Sequence, residues 1–192
     1  MMFRLLPAVL ATALVLALPA WAGPDQPSRV EPEELEKACL KMACRRDVHV
    51  ELQRDDGSVF KKTYALLPPA VQPFGVSVIA GQTVHIEAEV EGDRLTKLTA
   101  VDKIAAPAKT ITASLEQVDG KGMMLVVTNP FSKTLKFNMG MMSLGSERLL
   151  KTSSCPIVPG GKIYEMWPSP IFQIVLANAR LLEPDANPGC VN

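Results

Sequence analysis

Residues 110–144 read TITASLEQVDGKGMMLVVTNPFSKTLKFNMGMMSL, and apolar side chains alternate with polar ones through most of this stretch. A period of two is typical of β-strands that bury one face. The glycine-containing turn at 119–122 and the Asn-Pro-Phe-Ser-Lys segment at 129–133 divide the stretch into three strands. The stretch therefore predicts short strands joined by tight turns.

Similar alternation occurs upstream of this stretch. VHVELQ (48–53) and VFKKTYALL (59–67) flank the polar segment RDDGS and predict a β-hairpin. In the segment 76–101, turn residues at 80–82 and 91–93 divide the chain into further strands. The residues expected to face inward alternate along the strand between these two turns: Val84, Ile86, Ala88 and Val90.

The downstream sequence predicts further strands in RLLKTSSCPIV (148–158), KIYEMW (162–167) and IFQIVLANARLL (171–182). Short strands at this spacing are typical of an antiparallel β-sandwich, and they favour an immunoglobulin-like arrangement. The predicted fold class is therefore mainly β. EPEELEKACLKMACRR (31–46) is the exception, because its apolar residues repeat at helical spacing. It predicts a short N-terminal α-helix from Pro32 to about Cys44, and the pair Arg45-Arg46 that follows is expected on a solvated face.

The first 22 residues have the features of a secretory signal peptide. Arg4 precedes an apolar run from Leu5 to Leu18, and the small-x-small site Ala20-Trp21-Ala22 follows. The run is shorter than the roughly 20 residues that a membrane-spanning helix needs, so we expect cleavage after Ala22 and no stable membrane insertion. The mature protein is expected to be periplasmic or secreted.

The predicted parts of the chain follow from these elements. They are a signal peptide (1–22), a flexible mature N-terminus (23–31), a helix with an antiparallel β sub-lobe (32–104), a β-sandwich sub-lobe (109–184), and a C-terminal tail tied by a disulfide (185–192).

The mature chain contains an even number of cysteines, Cys39, Cys44, Cys155 and Cys190, which predicts two disulfides in an oxidising compartment. In a continuous helix, Cα atoms five residues apart are roughly 8 to 9 Å from each other, beyond the roughly 7 Å limit for a disulfide. Two alternatives remain open. Either the helix ends before Cys44 and Cys155 pairs with Cys190, or both bridges are long-range.

Charge and motifs exclude several function classes. The chain has 20 basic and 20 acidic residues, so no global field would attract nucleic acid. It contains no G-x-S-x-G elbow, no H-E-x-x-H helix and no phosphate-binding glycine loop, and we assign no catalytic residue. We therefore expect a non-enzymatic binding or accessory protein of the cell envelope, acting through contacts with another envelope protein and needing no cofactor.

Aromatic residues make up only 5% of the chain, and YEMWPSPIF (164–172) concentrates them. An exposed aromatic next to rigid prolines favours a partner-binding patch, whose candidates are Tyr164, Trp167, Pro168 and Pro170. The alternative is that Trp167 covers an edge of the sandwich.

Methionines are concentrated in FNMGMMSL (137–144). Strand alternation places Leu135, Phe137, Met139 and Met141 on the buried face, and Lys136, Asn138, Gly140 and Met142 on the other. The first set is expected to fill the core. Because thioether sulfurs select Cu(I), the alternative function is a periplasmic copper-binding protein. Its candidate ligands are Met123, Met124, Met142, His49 and His85.

Overall fold

The computed structural model describes residues 32–118, 122–183 and 189–190. The predicted signal peptide, the segment 23–31 and most of the C-terminal tail lie outside the described residues. The elements are α1 (Pro32–Cys39), β1 (Arg45–Gln53), β2 (Val59–Leu67), β3 (Val71–Gln72), β4 (Gly75–Ile79), β5 (Gln82–Glu91), β6 (Arg94–Val101), a 3₁₀ turn (Pro107–Lys109), β7 (Thr110–Val118), β8 (Gly122–Thr128), β9 (Thr134–Ser143), β10 (Leu150–Thr152), β11 (Lys162–Trp167) and β12 (Ile171–Leu182). All strand pairings are antiparallel, which confirms the mainly β fold class with a short N-terminal helix.

The N-terminal helix is shorter than the sequence predicts. It ends at Cys39, and the backbone N–H of Leu40 donates to the Lys37 carbonyl in a tightened last turn. The chain then bends back, so that the Cα atoms of Cys39 and Cys44 are 5.4 Å apart and their sulfurs are bonded. The prediction of a helix as far as Cys44 is wrong, and the alternative with a local bridge is confirmed.

The second disulfide joins Cys155 to Cys190, whose Cα atoms are 4.1 Å apart. It ties the C-terminal tail to the segment between β10 and β11. Both cysteine pairs therefore agree with the first alternative, in which the helix ends before Cys44 and Cys155 pairs with Cys190. The two disulfides are compatible with a protein outside the cytoplasm.

The predicted hairpin of β1 and β2 forms a small sheet of its own. The remaining strands follow the order β10-β9-β12-β6-β5-β7-β8-β11, with β4 and β3 beside β12. β12 and β6 share a single residue pair, Arg180 with Arg94, and this weak junction divides the order into two groups. We call β10, β9, β12, β4 and β3 the first layer, and β6, β5, β7, β8 and β11 the second layer.

Buried side chains of both layers and of the hairpin form one hydrophobic cluster, which is a sandwich-like arrangement. The alternation in the opening stretch is confirmed, since Ile111, Ala113 and Leu115 of β7 are buried. The immunoglobulin-like strand order is not confirmed, because β12 pairs with strands of both layers.

The chain crosses from the second layer to the first between β8 and β9, at a corner held by Asn129. This side chain is only 1% exposed, and its Nδ2 lies 2.8 Å from the carbonyl oxygens of Lys133 and Ile157 and 3.1 Å from that of Val158. Its Oδ1 accepts a hydrogen bond from the N–H of Phe131. One amide therefore satisfies backbone groups of two loops.

Three side chains lie elsewhere than predicted. Val90 is exposed instead of inward, after a β-bulge at which the pairing of β5 with β6 shifts between Glu87 and Glu89. Lys136, on the face opposite Phe137, is nevertheless buried. Arg45 is half-buried instead of solvated, and its guanidinium bonds to surrounding backbone and side chains.

The burial of Lys136 results from the segment that carries the second disulfide. Its ammonium donates to the carbonyl oxygens of Ser154 and Gly189, one residue from Cys155 and Cys190 respectively. Burial, reinforced by the charge of Arg180, lowers the pKa of the Lys136 ammonium, and the carboxylate of Glu165 partly opposes this shift. The C-terminal disulfide therefore covers a cation that alternation alone would leave in solvent.

Candidate functional site

The outer face of the second layer carries a group of exposed apolar side chains. Tyr164 on β11 is directly opposite Val126 on β8, and Met166 is directly opposite Met124. Tyr164 is 55% exposed and Met166 63% exposed, while Met124 and Val126 are partly buried beside them. We call these four residues the contact face.

Polar groups surround the contact face. The ammonium of Lys162 lies 5.3 Å from the centre of the Tyr164 ring, within the range of a cation–π interaction. The exposed Glu116 is opposite Met124 on its other side, and Ser114 is opposite Val126. An apolar centre with a mixed, nearly neutral rim is the usual anatomy of a protein-binding surface.

The other predicted partner-binding residues are not on this face. Trp167 is partly buried among core side chains, and its indole Nε1 donates to Thr152 Oγ1 at 2.9 Å. It therefore joins β11 to β10, the two strands at the ends of the strand order. This agrees with the alternative that Trp167 covers an edge of the sandwich. Pro168 is exposed directly after β11, whereas Pro170 is buried and its carbonyl accepts from the N–H of Leu144.

The methionines proposed as copper ligands occupy three different environments. Met123 is fully buried in the core, and its neighbour Met124 lies on the contact face. Met142 is partly buried on β9, which pairs with β10 and β12 and is in the first layer. Met124 instead has Met166 as its cross-strand neighbour. Sequence alternation puts Met166 beside Tyr164, but its pairing with Met124 depends on a register that no local signal indicates.

The two histidines are on strands that do not pair with each other, and each contacts a threonine. His49 Nδ1 lies 2.7 Å from Thr63 Oγ1 in the hairpin, and His85 Nδ1 lies 3.0 Å from Thr112 Oγ1. On β7, His85 is paired with Thr112 and Met124 is paired with Glu116. Because Thr112 and Glu116 are four residues apart, His85 and Met124 are separated by roughly 13 Å along the strand direction alone.

The structure therefore does not bring the five candidate copper ligands together. Within the described ranges, no group of three or more histidine, cysteine, aspartate or glutamate side chains is arranged to hold a metal ion.

No protein-family model matches this chain, and neither the characterised proteins nor the solved structures with which it was compared include a significant match. Among the helices that the structure describes, none has the length and apolar character needed to cross a membrane.

Proposed function

We propose that this chain is an exported, non-enzymatic accessory protein of the cell envelope that binds another protein through the contact face. The proposal is supported mainly by one observation: Tyr164 and Met166 are exposed side by side and adjoin Val126 and Met124 on a regular sheet surface. Tyrosine and methionine are enriched where proteins bind each other, and a sheet face presents them with little loss of backbone freedom on binding.

Export is supported by two independent features. The N-terminal sequence has the basic, apolar and small-residue regions of a signal peptide that would be cleaved after Ala22. Two disulfides join the four cysteines, as is usual in an oxidising compartment. The proposed location is therefore the periplasm or the extracellular space.

The chemistry of the contact face indicates the kind of partner. Lys162 and Glu116 place one charge of each sign at its rim, and the whole chain has equal numbers of acidic and basic residues. Such a surface offers little attraction for a polyanion and suits an apolar patch on another envelope protein. Binding would bury the exposed parts of Tyr164 and Met166.

Site-specific photo-cross-linking in the protein's own host tests this proposal. We expect a photoreactive phenylalanine analogue at position 164 to give one discrete adduct with another polypeptide. The matched control is the same analogue at Val158, a loop residue with the same 63% exposure as Met166 but outside the contact face. Co-produced wild-type protein without the analogue should compete for the adduct, and co-produced Met166→Glu protein should not, because its carboxylate opposes burial.

Equal adducts at positions 158 and 164 would contradict the proposal, since they would show contact by chance. So would the absence of an adduct at position 164 in cells that produce and export the protein normally.

A further inference from the structure

A pocket of about 540 Å³ lies on the outer side of the first layer, away from the contact face. Its floor is formed by β9, β12 and β4, where Met142, Gln173 and Ile79 make one cross-strand row. Its volume is within the range of about 300 to 1,000 Å³ typical of small-molecule sites. The walls include Arg45, Phe74, Leu149 and Phe172.

A glycine explains how the loop after β9 closes over this floor. A Cβ atom on Gly140 would lie 2.9 Å from Leu149 Cγ, so the missing side chain lets Leu149 lie directly against the sheet. The loop from 145 to 149 thereby supplies an apolar wall, and Phe74, which is 52% exposed, stands on another side of the pocket.

Arg45 supplies a fixed positive charge to this pocket. Its Nε donates to the Pro68 carbonyl at 2.9 Å, Nη1 donates to the Ser77 carbonyl and to Gln82 Oε1, and Nη2 donates to Ser77 Oγ. These four hydrogen bonds orient the guanidinium but neutralise none of its charge, because every acceptor is uncharged. Within the described part of the chain, no carboxylate is within ion-pair distance of Arg45.

Burial lowers the pKa of the Arg45 guanidinium to about 10, so it remains protonated near neutral pH. Two other charged residues line the pocket, Glu147 and Arg148, both on the exposed loop. Because the charges of Glu147 and Arg148 have opposite signs, the net charge of the pocket lining equals the single positive charge of Arg45. A bound monoanion would balance that charge inside a partly desolvated site.

We infer that this pocket binds a small amphiphilic monocarboxylate, with its carboxylate beside Arg45 and its apolar part against Phe74, Leu149 and Phe172. The inference is independent of the contact face. Four of the five guanidinium N–H groups are used within the described residues, and the fifth, on Nη2, is the donor for a carboxylate oxygen.

Isothermal titration calorimetry of the purified protein with octanoate and octan-1-ol tests the inference. We expect saturable one-to-one binding of octanoate, about tenfold tighter than binding of the alcohol, because only the carboxylate forms a charge-assisted hydrogen bond. Met142→Trp should fill the floor of the pocket and weaken both ligands about tenfold or more. Met166→Glu should leave both affinities unchanged, so that the pocket and the contact face are tested separately.

Arg45→Gln should bring the affinity for octanoate down to that for octan-1-ol. Because Arg45 also anchors Ser77 and Pro68, the thermal unfolding of Arg45→Gln should be measured alongside. If Arg45→Gln does not fold, Met142→Trp serves as the test. Equal affinity of the wild type for octanoate and octan-1-ol would overturn the inference. Unchanged octanoate binding by Met142→Trp, or no saturation at millimolar octanoate, would do so as well.

Discussion

Replacing Asn129 by Asp is expected to destabilise the protein by more than about 4 kcal/mol. The amide nitrogen, whose two hydrogens are shared among three backbone carbonyls, would become a carboxylate oxygen facing the same three carbonyls. The site is 1% exposed, so water cannot solvate the new charge. Urea unfolding followed by circular dichroism measures the loss.

The matched control is Asn138→Asp, at an exposed position on β9. Its amide oxygen accepts from Arg180, and a carboxylate can accept the same bond, so we expect a change within about 0.5 kcal/mol. If Asn129→Asp does not fold at all, Asn129→Ala should still lose about 3 kcal/mol. The Lys133 carbonyl and the Phe131 N–H would lose their hydrogen bonds to the Asn129 amide, whereas the carbonyls of Ile157 and Val158 would keep the backbone N–H donors of Leu135 and Gly161. Equal stability of the two Asp variants would show that the corner at Asn129 does not hold the layers together.

Removing the Cys155–Cys190 disulfide is expected to have the second largest effect. The bridge closes a loop with a sequence separation of 35, and the chain-entropy model assigns such a loop about 4 kcal/mol. The paired substitution to serine also frees the segment that covers Lys136, which exposes the partner carbonyls of Ser154 and Gly189 to water. Thermal and urea unfolding of the double-serine variant measure the change in stability.

The Cys39–Cys44 disulfide provides the comparison within the same chain. Its sequence separation is 5, for which the same model gives about 2 kcal/mol, and α1 has no buried residue in the described helix. A larger loss from the double-serine variant of Cys39 and Cys44 would contradict the view that the C-terminal bridge is the main covalent support of the fold.

Alternation and turn residues were sufficient to predict most of the strands. They correctly place Val84, Ile86 and Ala88 inside, whereas Val90 is exposed. Local patterns indicate which face of a strand is buried, because that depends on a period of two within the strand. They do not indicate which strands become neighbours, which depends on contacts distant in sequence.

The candidate site shows the same limit. Tyr164 can be selected because aromatic residues and prolines are concentrated around it in the sequence. Its grouping with Val126 and the pairing of Met166 with Met124, however, depend on the register of β11 against β8. Arg45 was expected in solvent because it belongs to a short basic pair. Its half-burial arises from Pro68, Ser77 and Gln82, which are 23 to 37 residues away in sequence.

Lys136 and the end of α1 were mispredicted for a related reason. The tail that covers Lys136 is held by Cys190, 35 residues beyond Cys155. The helix ends where the Cys39–Cys44 bridge bends the chain, although the periodicity of apolar residues continues to Met42. In both places the structure beside a disulfide differs from the one that local sequence patterns predict.

Native mass spectrometry tests whether the exported chain binds another protein through Tyr164 and Met166. The protein would be purified gently from the periplasm of its own host as wild type, as Met166→Glu and as Val158→Glu. We expect a chain that begins at Gly23, is four hydrogens lighter than its reduced mass, and carries a polypeptide that Met166→Glu loses and Val158→Glu keeps. A wild-type chain without any polypeptide, or the same polypeptide retained by Met166→Glu, would contradict it.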